Sequence, residues 1–112
     1  MEIEQALDDF RRRLLLATHL QPFLQKNPLI IKLEVKEYEG HYIIKMANEV
    51  IEITKNNGKE DVDIVIGGEE RAVTRLINGR DRLQRLEKND LIIIEGKYSA
   101  ILKAETIFYL NQ

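Results

Sequence analysis

A chain of 112 residues with 17 Lys and Arg against 19 Asp and Glu carries a formal net charge of −2, so it lacks the broad positive field that draws a protein to nucleic acid. It has no cysteine, which excludes disulfides, thiolate chemistry and cysteine-type zinc sites. The length suits one domain over residues 1–112, and 44% hydrophobic with 32% charged residues is an ordinary globular composition.

Residues 1–24 read as a helix. Ile3, Leu7, Phe10, Leu14 and Ala17 recur at three- and four-residue intervals, which puts them on one face. The acids Glu2, Glu4, Asp8 and Asp9 precede Arg11, Arg12 and Arg13, the order a helix dipole prefers. Leu15 and Leu16 widen the apolar stripe, so this helix either contacts the core on a broad side or offers a surface to a second copy or a partner protein. Pro22 and Asn27-Pro28 close it. The acidic start is unlike a secretory leader, and no apolar run approaches the roughly 20 residues that span a bilayer. The expectation is a cytoplasmic protein.

Leu29, Ile31, Leu33 and Val35 then alternate with more polar neighbours, the pattern of a half-buried strand. Glu39-Gly40 turns the chain, and Tyr42, Ile44 and Met46 share one face of the return strand. A third strand runs from Glu49 to Lys55, and Asn56-Asn57-Gly58 makes a turn. Val62, Ile64 and Ile66 form the inner face of a fourth strand, broken by Gly67-Gly68. This first half reads as an antiparallel meander.

From Glu69 the period changes. Ala72, Val73, Leu76 and Ile77 make a short amphipathic helix, ended by Asn78-Gly79 as a left-handed cap. Leu83 and Leu86 bury a further helical turn. The run from Leu91 to Ile94 is apolar without interruption, which suggests a strand covered on both faces. The last helix carries Ile101, Leu102, Ala104, Ile107, Phe108 and Leu110 around nearly three-quarters of its circumference. The order of elements is that of an α+β domain with an antiparallel sheet and helices on one side.

The run DVDIVI, Gly67-Gly68, EERAVTRLING, RDRLQRLEKND, LIIIEG and KYSAILKAETIFYL resembles the sterol carrier protein type 2 family. That family has an acidic residue opening a strand, a short helix ending in glycine, a helical turn, an apolar strand ending in glycine, and a C-terminal helix. Gly79 stands twelve residues before Leu91, the separation the family keeps. The resemblance covers nearly the whole chain, and its order and spacing are more specific than its single motifs. It implies a five-stranded, mostly antiparallel sheet with helices over one face and an apolar tunnel between them. Family members hold sterols, fatty acyl chains or isoprenoid lipids without transforming them. Where members near the sterol-binding type carry Pro-Gln and Ala-Phe pairs, this chain has Arg82-Leu83-Gln84 and Arg85-Leu86. It also ends without a peroxisomal tripeptide, so the resemblance is to a divergent, bacterial-type member.

The side chains expected to line a lipid pocket are Leu76, Leu83, Leu86, Ile93, Ile101, Leu102 and Phe108. Arg71, Arg75, Arg82 and Arg85 form the most basic stretch, a candidate contact for an anionic membrane, although interleaved acids also fit an ion-paired surface. Chemistry is sparse. Ser99 is the only serine and sits outside any nucleophile elbow; His19 and His41 have no carboxylate pattern for a metal. Ile66-Gly67-Gly68-Glu69 lacks the lysine and spaced glycines of a phosphate loop. The four tyrosines are expected to edge the core with hydroxyls in water. The sequence therefore points to a non-enzymatic lipid carrier without cofactor or metal, with a structural or dimerising module as the alternative.

Overall fold

The computed structural model describes residues 2–47, 49–56 and 61–111. Its elements are α1 (Glu2–Leu16), α2 (Gln21–Lys26), β1 (Leu29–Val35), β2 (His41–Ala47), β3 (Val50–Asn56), β4 (Ile64–Gly68), α3 (Glu70–Ile77), α4 (Leu83–Lys88), β5 (Ile92–Gly96) and α5 (Tyr98–Leu110). The five strands form one sheet in the order β3-β2-β1-β4-β5. Neighbours are antiparallel except β1 and β4. The α+β architecture with a mostly antiparallel five-stranded sheet is as expected.

The meander is not. β4 does not pair with β3; it crosses to the far side of β1 and lies parallel to it, with Ile31 opposite Ile64 and Leu33 opposite Ile66. Asp63 fixes that register from just outside the strand. Its backbone N–H donates to the Ile30 carbonyl at 2.9 Å, and its Oδ2 accepts the Ile30 N–H at 2.8 Å. Gly67 and Gly68 belong to β4 rather than breaking it. The turn expected at Asn56-Asn57-Gly58 falls largely outside the described residues.

The single N-terminal helix is also two. α1 buries Ile3, Ala6, Leu7, Phe10 and Leu14. Ala17 leaves helical geometry at φ −83° and ψ 76°, a 3-10 turn follows at Thr18–Leu20, and α2 begins afresh. Pro22 stands in the first turn of α2, where its missing N–H costs nothing, instead of ending a helix.

Both helix terminators in the second half work as left-handed caps. Gly79, at φ 72°, donates to the Leu76 carbonyl while Arg80 donates to that of Arg75, the paired bonds of a Schellman motif. Asp90 repeats the geometry after α4 at φ 59°, with Leu91 bonding back to Leu86. At the end of β5, a Cβ on Gly96 would lie 2.7 Å from the Asp63 carbonyl oxygen, so glycine alone lets β5 close on β4.

Helices cover one face of the sheet. Ile31, Leu33, Val35, Tyr42, Ile44, Met46, Ile64, Ile66 and Ile92 point into the core beneath them. Phe10 of α1 and Phe108 of α5 meet there with ring centroids 5.5 Å apart, joining the two longest helices. The opposite face carries Lys32, Val65, Ile93 and Glu95. Strand β5 is therefore covered on one side only, contrary to expectation: Ile92 is buried while Ile93 is 63% exposed. The apolar run at 91–94 reflects an apolar outer surface as well as a core.

Candidate ligand site

The residues proposed as a pocket lining separate into three groups. Leu76 and Leu83, Leu86, and Phe108 lie within the buried core between the sheet and α3, α4 and α5. Ile101 is half-buried and packs against that core. Leu102, 41% exposed, faces solvent from α5, and Ile93 lies on the other side of the sheet. The fold thus brings four of the seven together, with a fifth at the edge. The excess of apolar residues on α5 is divided between core and surface.

A cleft lies between α1 and the β2–β3 edge, and none of the seven predicted residues lines it. The cleft holds about 430 Å³ and is lined by Leu7, Tyr42, Ile53, Glu4, Arg11 and Lys55, among others. Leu7 and Tyr42 are buried members of the core and Ile53 packs on it, so the floor of the cleft is apolar. Its rim is polar. The Tyr42 hydroxyl donates to Glu4 Oε2 at 2.9 Å, Arg11 Nε donates to the Ile51 carbonyl at 2.9 Å, and the Lys55 ammonium stands 5.7 Å from the Tyr42 ring centroid. An apolar floor beneath a few oriented polar groups suits a ligand with a hydrocarbon body and a polar end.

Two tyrosine–carboxylate contacts hold α1 over the sheet. Besides Tyr42 and Glu4, the Tyr38 hydroxyl donates to Glu70 Oε2 at 2.8 Å, and the same oxygen accepts the Ile3 N–H at 3.0 Å. Burial, then the bond to Glu4, pushes the Tyr42 phenol up to about 12; the bond to Glu70, then burial, pushes Tyr38 up to about 12. These hydroxyls meet carboxylates rather than water, which corrects the sequence-based expectation for both. Glu4, Arg11 and Lys55 carried no signal of their own in the chain. Tyr42 did, because a phenol on the inward face of a strand needs a buried partner.

The basic residues are divided among different tasks. Arg75 pairs with Asp81, and Arg82 lays its guanidinium 4.4 Å from the Tyr109 ring centroid. Arg12 pairs with Asp8 and Asp9 on α1, and Arg13 donates to the Asn111 and Ile77 carbonyls. Leu14 is buried and Leu15 half-buried, leaving Leu16 as the apolar residue that α1 presents outward, 75% exposed. His19, His41 and Ser99 stand on separate elements: the 3-10 turn, β2 and α5.

No protein-family model and no curated sequence matches the chain. Solved structures do. A sterol carrier protein 2 like 2 from Aedes aegypti superposes with a TM-score of 0.67 at 9% identity, over 95% of this chain and 95% of that one. A UbiJ-SCP2 ubiquinone synthesis protein gives 0.63 at 16% identity, over 87% and 92%. A stereoselective inverting sec-alkylsulfatase from Pseudomonas sp. gives 0.66 at 7% identity, over 78% of this chain but 14% of the enzyme. The chain has the sterol carrier protein 2 fold, at a sequence distance that marks it as divergent.

Proposed function

We propose that this protein binds and carries one apolar lipid, a fatty acyl, isoprenoid or sterol-like chain, between its sheet and its helices. The observation that supports this best is the α1–β3 cleft. Its floor is formed by Leu7 and Tyr42 of the apolar core, in a fold whose solved examples include sterol carrier proteins and a ubiquinone synthesis protein. Leu76, Leu83, Leu86, Ile101 and Phe108 are the proposed wall of the bound state. Ile93 and Leu102 would join it only if β5 and α5 rearranged. The proposed wall is tightly packed, with Leu76, Leu83 and Phe108 each at most 2% exposed. A guest would replace side-chain contacts with its own, consistent with the cost of leaving such a space empty.

The role is binding rather than catalysis, and it asks nothing of a nucleophile. Organic extraction of the purified protein, with native mass spectrometry, is the test. An apolar molecule should leave the protein stoichiometrically, or a fluorescent fatty acid should bind and be displaced by unlabelled lipid. If neither extraction nor titration gives a bound lipid, the proposal fails. Tyr42→Phe, which frees Glu4 of α1 from β2, should then speed fatty-acid uptake without abolishing binding.

One observation favours a second reading, a protein-interaction or dimerising module with a collapsed pocket: the outward Leu16 on α1. Light scattering of the wild type and Leu16→Glu distinguishes it. A dimer that the substitution dissolves supports that reading, and a monomer in both removes its support.

A further inference from the structure

An open sheet ends in two strands whose outer backbone groups lack a neighbour, and proteins commonly blunt both. Here the two edges differ. At β3, α1 lies alongside, and Arg11 Nε already donates to the Ile51 carbonyl at 2.9 Å. The edge at β5 has no such guard. Among the described residues β5 pairs with β4 alone. It carries neither proline nor lysine from Ile92 to Gly96, and Leu91 and Ile93 are 52% and 63% exposed.

The register shows which groups this edge offers. The Gly68 carbonyl accepts the Lys36 N–H at 2.9 Å, so the even-numbered residues of β4 turn their backbone toward β1 and the odd-numbered ones toward β5. Val65 and Gly67 therefore bond Glu95 and Ile93. The N–H and C=O groups of Ile92, Ile94 and Gly96 face outward from the sheet.

Such a row accepts an added strand, and β5 is complementary to itself. About a two-fold axis at Ile94, an antiparallel second copy sets Ile94 opposite Ile94 and Ile92 opposite Gly96, so each outward donor meets an outward acceptor. The same rotation brings Asp90, just before the strand, alongside the second copy's Lys97, just after it, and does so twice. Both side chains are exposed, and neither has a hydrogen bond or ion pair among the described residues. An acid at one end of the strand and a base at the other favour a second copy over a strand of unrelated sequence.

We propose that the protein forms a two-fold dimer by joining β5 to β5, so that two five-stranded sheets become one. Because α1 guards β3, the assembly closes at two copies. A strand this short buries little area, which places the dimer among the weak, concentration-dependent ones. The α1–β3 cleft lies at the far edge of the sheet, and the inference stands whether or not the core takes a lipid.

Light scattering of the full chain from about 1 μM to 1 mM, the span over which weak dimers form, should show the mass double. Amide exchange locates the contact. As concentration rises, exchange at the Ile94 N–H should slow by roughly tenfold or more, and that at Ile93, bonded to β4 in either state, should change far less. Asp90→Lys and Lys97→Glu each set like charges against the second copy, and each should be a monomer with native circular dichroism. Mixed in equal amounts they should dimerise, because both contacts of the mixed pair then join opposite charges. A monomer at every concentration overturns the proposal. So does a dimer that leaves the Ile94 amide unprotected, a dimer that Leu16→Glu dissolves, or a mixture of the two charge variants that stays monomeric.

Discussion

Arg13 donates from Nε to the Asn111 carbonyl at 3.0 Å and from Nη2 to the Ile77 carbonyl at 3.1 Å. One guanidinium thus closes the last turns of α5 and α3, whose carbonyls have no partner inside their own helices and stand at the negative ends of two dipoles. Asn111 returns the contact: its buried side-chain amide donates to the Phe10 carbonyl at 3.1 Å. Arg13→Met keeps most of the stem and removes the fork, and should cost about 2 kcal/mol of stability in urea unfolding. Arg13→Lys should recover only part of that, because one ammonium cannot reproduce the planar two-point geometry. A loss below about 0.5 kcal/mol for Arg13→Met would mean that water satisfies both carbonyls equally well. In the chain, Arg11-Arg12-Arg13 is a basic run open to several readings. Only the fold separates Arg12, which pairs along its own helix, from Arg13, whose partners lie 64 and 98 residues away.

The ends of α1 and α3 are capped by a relay of carboxylates. Glu37 Oε1 accepts the Glu70 N–H at 2.8 Å at the start of α3, and Glu70 Oε2 accepts the Ile3 N–H in the first turn of α1. Glu70→Ala should release the start of α1 and orphan the Tyr38 hydroxyl, lowering stability by about 1–2 kcal/mol. The local signature is more specific than the number. Amide exchange at Ile3 and its neighbours should speed up ahead of the sheet, whereas uniform acceleration would show that α1 and the sheet open only together. The helix-favouring position of Glu70 was legible in the sequence, since acids belong in a first turn. The helix it caps, 67 residues earlier, was not. Periodicity likewise located α3, α4 and α5 and their buried faces, including Leu76, Leu83 and Phe108. It failed for Ile93 and Leu102, because an apolar run on an edge strand and an apolar helix back look in sequence like more core. The break at Ala17 was hidden for a similar reason, as Leu20 and Leu24 continue the helical spacing on a new helix.

At the scale of the molecule, alternation shows which face of a strand is buried but not which strand lies beside it. Ile64 and Ile66 would satisfy an antiparallel place beside β3 as well as the parallel place beside β1 that they occupy. The choice rests on long-range contacts such as the reciprocal bonds of Asp63 and Ile30, which no local pattern encodes. The resulting order leaves β1 central, with β2 and its Tyr42 next to it and α1 lying over the inner face. Closure of α1 over the sheet is then coupled to proton binding. The unfolded chain releases its phenolic protons near the ordinary value of 10.0, while folded Tyr38 and Tyr42 keep theirs to about 12. Across that interval the folded state holds more protons than the unfolded one, so stability must fall as pH rises. The contribution is whole below the unfolded value and is lost as pH passes the folded value. Denaturant midpoints should therefore stay level up to about pH 9 and decline above it. Tyr42→Phe should be less stable near neutrality, having lost its bond to Glu4, yet decline less steeply in alkali. Its absorbance titration at the phenolate band should show one late-titrating phenol fewer. An unchanged alkaline slope in Tyr42→Phe would disconnect this phenol from the folding equilibrium and remove Tyr42–Glu4 as the latch of the cleft.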